Sequence, residues 1–353
     1  MGVVTSRHRR RAAASVLVVW IGLSACSGAP AATTGPTTTA RSAEAPSSQA
    51  PSPSRSATVM LTDARWTEAA PLPVGVSEVG VALVGRRIHV LGGYVAGRAH
   101  STTHLVYDVD TGTWETGVPL PVALDHVGAA AIDDTLYAVG GYGAEGTPTT
   151  GVWALDPSTD TWVARAPLPD ARTAAVTSVV DGKLHVVGGR DPAGDTGRHD
   201  VYDPASNTWS SAAAMPTARD HAAGAVLDGE LHVTAGRPGD LTVHEVYDPA
   251  SDSWRTAAPL PTGRSSVAGA VLGGAFLVIG GEDADETRVY DTVEAYDPHA
   301  DNWTALAPMP QPVQGIGAAV TDGQLFVPGG GPSAGGTEQS AVLQVFAVPT
   351  SPG

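Results

Sequence analysis

Two Asp-His dipeptides, Asp125-His126 and Asp220-His221, are the strongest candidates for acid–base chemistry in this 353-residue chain. A carboxylate beside an imidazole can supply a general base. Each dipeptide stands where a strand is expected to begin, and adjacent strand residues point to opposite faces. Neither pair is therefore expected to act as an orienting dyad by itself. The two histidines are also expected to stand apart, and no serine in a nucleophile-elbow setting accompanies them. His89, His185 and His232 form a second set, inside the phrases RIHVLGG, KLHVVGG and ELHVTAG. Tyr137, Leu277 and Phe326 hold the same place in TLYAVGG, AFLVIGG and QLFVPGG. A position shared by Tyr, Leu and Phe is an apolar packing site. Zinc would need nitrogens about 2 Å from one point, and these histidines lie in separate copies of the phrase. No metal and no cofactor are expected.

These residues are carried on a repeat. Tryptophans 66, 114, 162, 209, 254 and 303 are spaced 48, 48, 47, 45 and 49 residues apart. After each comes a proline pair or its remnant, such as Pro167-Leu-Pro169 or Met215-Pro216. An apolar run, a tight turn and the glycine-ending phrase follow, then a variable loop and Tyr-Asp, as at Tyr202-Asp203. Asp181-Gly182, Asp228-Gly229 and Asp322-Gly323 have the form of two-residue hairpin turns. Four short strands per period of about 48 residues are the mark of a β-propeller. Six tryptophans at one repeat position read as packing between blades, not as sugar platforms. The acidic Asp-Pro turns before them read as turn chemistry rather than cation loops.

The order of apolar strand, Gly-Gly, Tyr-Asp, Trp and Pro-x-Pro resembles the kelch repeat, over about residues 59–348. Ala235-Gly236 and Trp153-Ala-Leu155 depart from the pattern. The resemblance implies an all-β, six-bladed kelch-type β-propeller with strands a to d running from inner to outer. The strand holding Trp66 is a d strand that precedes any a, b or c strand, and the chain ends on a c strand. Pairing the N-terminal d strand with the C-terminal a–c strands would close the ring and remove the open edge.

In such a ring the Pro-x-Pro loops and the loops after Gly-Gly share one face, where varied loops collect binding residues. Three residues after the second proline stand Val76, Leu124, Arg172, Arg219, Arg264 and Val313; Asp125 and Asp220 follow two of these. Arg190 and Arg237 directly follow their glycines on the same face. In kelch adaptor proteins, arginines at this strand position bind acidic peptides. The resemblance therefore implies Arg172, Arg219 and Arg264 as contacts for an anionic ligand, which the guanidinium fork suits. The other reading is that they neutralise carboxylates such as Asp125 and Asp220. The expected ligand set is thus Arg172, Arg219, Arg264, Asp125, Asp220, Arg190 and Arg237, with His126 and His221 as catalytic candidates. The implied function is a non-catalytic head binding a protein, peptide or glycan. The alternative is a sialic acid mutarotase-like isomerase. Copper radical oxidase chemistry is excluded, because it needs a cysteine joined to tyrosine and Cys26 is the only cysteine.

The N-terminus suggests where such a head would work. Arg7, Arg9, Arg10 and Arg11 precede the apolar run Ala12 to Leu23, and Leu23-Ser24-Ala25-Cys26 resembles a bacterial lipobox. Residues 1–25 are expected to be a signal peptide and Cys26 the lipidated first residue of the mature chain. The protein would then be exported and held on the outer surface of the cell membrane only through that lipid. Residues 26–58, rich in Ala, Pro, Ser and Thr, read as a disordered tether, and 349–353 as a tail. Loss of the signal would leave 16 basic against 36 acidic side chains, a balance that repels nucleic acid phosphates. A monomer is expected.

Overall fold

The computed structural model describes residues 61–348. The expected signal peptide, Cys26, the tether and the tail lie outside the described residues. Among those described, six four-stranded antiparallel sheets follow one another along the chain. The third is typical: Val176–Val180, Lys183–Val187, His199–Asp203 and Thr208–Ser211, each hydrogen-bonded to the next. The sixth sheet closes the ring. Arg65–Ala69 lies beside Leu343–Ala347, with Trp66 opposite Phe346, so the first strand completes the last blade as expected.

Tryptophan fastens each blade to the one before it. The Nε1 atoms of Trp66, Trp114, Trp162, Trp209, Trp254 and Trp303 donate to the carbonyls of Ala307, Ala70, Val118, Ala166, Ala213 and Ala258 at 2.8–3.0 Å. These carbonyls follow the outer strand of the preceding blade. The acidic turns do turn work: Asn207, Asp252 and Asp301 accept from backbone N–H groups of the preceding blade and from Tyr202, Tyr247 and Tyr296 of their own. The apolar core lies in clusters between neighbouring blades; one joins Leu277 and Ala295 of the fifth to Leu325 and Phe346 of the sixth.

The Gly-Gly pair also has a physical account. The first residue has φ between +59° and +68°, the second between +83° and +102°. Ala235 replaces only a first glycine, with φ of +64°, inside the left-handed region that other residues reach at about 1 kcal/mol. All six second positions are glycine. A Cβ on Gly93 would collide with the Ser77 carbonyl.

The repeated histidines are packing residues, and each has a partner that their position did not reveal. The Nδ1 atoms of His89, His185 and His232 lie 2.8–2.9 Å from Nε2 of His104, His199 and His244. The Nδ1 atoms of the second three face the carbonyls of Val118, Ala213 and Ala258. Those carbonyls also receive a tryptophan from the next blade. Blades two, five and six, with Tyr137, Leu277 and Phe326, have Val152, Val293 and Leu343 at the partner position.

Candidate functional site

The residue before the last turn into each inner strand takes a left-handed conformation. Glu78, His126, Ala174, His221, Ser266 and Gly315 have φ of +49° to +61°. Each donates its N–H to the carbonyl of the equivalent residue in the preceding blade, at 2.6–3.1 Å. Six hydrogen bonds thus close a circle around the propeller axis. Five non-glycine residues hold a conformation costing roughly 1 kcal/mol or more apiece, and the circle holds them there.

The neighbouring residues show which face this is. Ser77, Asp125, Thr173, Asp220, Ser265 and Gln314 each form a bridge to Tyr94, Tyr142, Arg190, Arg237, Glu282 or Gly331, the residue after the glycine pair. The ring and the variable loops therefore share one face. Next to the ring a cavity of about 140 Å³ is lined by glycines such as Gly80, Gly128, Gly224 and Gly269 and by apolar side chains such as Val127 and Ile316. At the ring a cavity of about 110 Å³ opens among Glu78, His126, His221 and Ser266. A side lobe of about 410 Å³ lies among Tyr142, Arg190, Asp195, Asp220 and Arg237.

Two expectations are corrected here. His126 and His221 do not stand apart: their ring centroids are 4.9 Å from each other, edge to face. Nor does each Asp-His pair splay to opposite faces. The left-handed backbone turns the histidine back, so His126 Nδ1 contacts Asp125 Oδ1, and His221 Nδ1 lies 2.9 Å from Asp220 Oδ1. That second pair is out of line for a hydrogen bond, and both atoms are buried without a partner. His126 Nε2 lies 3.2 Å from Glu78 Oε2. Burial opposes protonation of His126, but Glu78 and Asp125 outweigh it and hold its pKa above the ordinary value. Glu78 was not among the expected site residues; its type at the ring position was the available signal.

Arg172, Arg219 and Arg264, expected to contact an anionic ligand, lie inside their blades rather than at the mouth. Their side chains are 1%, 0% and 0% exposed. They pair with Asp200, Glu245 and Glu294 of the same blades, not with Asp125 or Asp220. Carbonyls such as those of Gly188, Ala235 and Gly280 take further donors. All three guanidiniums are enclosed by their blades, with Arg172 Nε the one donor among them left without a hydrogen bond. Blades one, two and six carry Val76, Leu124 and Val313 instead, and Leu105, Trp153 and Gln344 where the acids would be. Trp153 thus stands at the acid position, and Leu155 faces Trp162 as the tyrosines do elsewhere.

Arg190 and Arg237 do reach the mouth. Arg190 pairs with Asp195 at 2.7 Å and is half-exposed. Arg237 meets Glu282 at 2.6 Å and Ser265 at 3.1 Å. Glu282, in the acidic fifth loop, is buried and also accepts from Ser266 and the Gly335 N–H; burial raises its pKa. His100 is fixed against Asp125, and His104 begins the strand His104–Asp108.

These features define a closed six-bladed β-propeller with a polar site on its axis. A KLHDC2/KLHL20/DRC7 Kelch-repeats domain model matches residues 78–259, and a Kelch motif model matches 263–310. The chain belongs to the kelch-repeat family. The solved structure of YjhT is similar, with a TM-score of 0.68 and 19% identity over 79% of this chain and 96% of that one. At that identity the likeness is one of fold. No curated protein matches the chain.

Proposed function

We propose that this propeller is a ligand-binding head and that it takes a polyhydroxylated ligand, a glycan, at the axial mouth. The head would be monomeric and carried outside the cytoplasm on a lipid at Cys26. The observation that carries the reading is the open polar cavity on the axis, beside which Asp220 Oδ1 and His221 Nδ1 lie buried, 2.9 Å apart and out of line with each other. Buried polar atoms are costly without partners, and a bound ligand would supply them. The mouth has a mixed character: Glu78 lines the ring cavity, and Asp220 and Glu282 stand near Arg190 and Arg237, both already paired with carboxylates. Hydroxyl groups donate to carboxylates and accept from guanidinium, so sugars suit this lining better than anions. Tyr94 and Tyr142 set their rings edge-on to His126.

Titration of the full chain with soluble saccharides tests this. Saturable binding is expected, weakened at least tenfold by Asp220→Asn or Arg237→Ala and unchanged by Arg86→Ala on the opposite face. Affinity indifferent to the first two variants would overturn the reading. The facing His126 and His221 favour a second reading, acid–base catalysis of sugar anomer exchange in the manner of a mutarotase. It requires accelerated exchange by NMR that disappears in His126→Gln.

A further inference from the structure

We propose that Glu78, His126 and His221 form a binding site for one first-row divalent metal ion, such as Zn²⁺, Mn²⁺ or Fe²⁺, at the centre of the axial ring. The expectation of no metal was argued from the strand histidines His89, His185 and His232 and from the acidic Asp-Pro turns, and does not extend to this set. One donor atom from each of Glu78, His126 and His221 lies within 4.8 Å of the other two. Donors about 2.0–2.2 Å from a common ion stand roughly 3.2–3.5 Å apart. His126 Nε2 and Glu78 Oε2 already have that spacing, at 3.2 Å. A modest swing of the His221 ring completes the set.

The surroundings supply what a metal site needs. Asp125 Oδ1 contacts Nδ1 of His126, which leaves Nε2 as the donor. Asp220 stands in the same relation to His221, one residue before it at the same repeat position. Carboxylates behind ligating histidines fix the tautomer and raise the basicity of the free nitrogen. In His221 this partnership is incomplete: Nδ1 and Asp220 Oδ1 are within 2.9 Å but unaligned, and both are buried and unpartnered. Rotation of the imidazole to bring Nε2 onto an ion would let Nδ1–H align with Asp220. The ring backbone holds the three ligands from blades one, two and four in a fixed circle. Gly315 keeps the space open, since a Cβ there would stand 2.5 Å from Glu78 Oε1. Two imidazoles select transition metals over calcium or magnesium. Three protein ligands leave a position facing the mouth, where a ligand hydroxyl could bind.

The test uses metal alone, so its outcome is separate from that of the saccharide titration. The full chain is stripped with chelator, titrated with Zn²⁺, and then with Co²⁺ while the visible spectrum is followed. One equivalent should bind, with Co²⁺ bands showing nitrogen ligation in a low-coordinate site. Glu78→Gln and His221→Ala should each weaken binding at least tenfold, with unchanged circular dichroism showing that the fold is kept. The exposed-histidine variant His299→Ala should bind as the parent does. Absence of binding below millimolar metal, or stoichiometry and affinity unaltered in both site variants, would overturn the proposal. Saccharide binding by the metal-free chain would leave the glycan reading intact.

Discussion

Removing the Arg264 guanidinium would leave Glu294 buried without its counter-charge. Truncating one partner of a buried pair costs about 3–5 kcal/mol. Arg264→Ala should therefore lower the stability measured by urea unfolding by that much, whereas Arg264→Val with Glu294→Leu, the pairing that Val76 and Leu105 make in blade one, should recover most of it. A single variant as stable as the parent would refute the structural role. The histidine pairs make a second prediction at this scale. Burial lowers the pKa of His89 and His232 to about 3, and of His185, His199 and His244 to about 4; His104 is lowered by the same cause. These histidines fold neutral, while the unfolded chain protonates them near pH 6.5. Their contribution is complete above pH 6.5 and is lost as pH falls toward 4, by roughly 1 kcal/mol per histidine at pH 5.5. Unfolding midpoints at pH 7.5 and 5.5 should differ accordingly. His232→Leu with His244→Val, the pair that Leu277 and Val293 form in blade five, should reduce the difference by about a third, since two of the six contributions are lost; an unchanged pH dependence would count against the pairs. The packing role of these positions was legible because Tyr, Leu and Phe share it. The partner histidines and the acids facing the arginines lie on another strand of the blade. Aligning the copies would have revealed them, since His and Arg recur only where their partners do.

At the level of elements, the strand Arg65–Ala69 is the clasp of the ring. It contributes a full ladder against Leu343–Ala347, the Trp66 bond to Ala307, and ring contact with Phe346 at 5.0 Å. Trp66→Ala should cost about 3–5 kcal/mol, as aromatic deletions in cores do. A chain lacking residues up to Ala70 would expose the Leu343–Ala347 edge and should self-associate, which sedimentation would detect. A monomer of parental stability would show that closure does not depend on this strand. The clasp, the blade order and the sharing of one face by two loop sets were all readable from the order of Trp, Pro-x-Pro and Gly-Gly. The inner-strand entrance was not. Strand periodicity assumes extended backbone, and the left-handed residues at 78, 126 and 221 break it, turning three polar side chains onto the axis.

For the whole molecule, six blades set radially bring one position of every repeat to a common axis, so residues about 47 or 95 apart in sequence become neighbours. This is why Glu78, His126 and His221 meet although no local motif joins them. Of the five candidate guanidiniums, three are paired with carboxylates inside blades and two stand at the mouth. The proposed function requires that ligand be taken at this axial mouth. Histidine imidazole resonances of the isotopically labelled full chain, assigned with His126→Gln and His221→Gln, test it directly during titration with a saccharide that the chain binds. Saturable shifts of His126 and His221 are predicted, with the six buried paired histidines unmoved. Saturable binding that leaves both axial histidines unchanged would contradict the account.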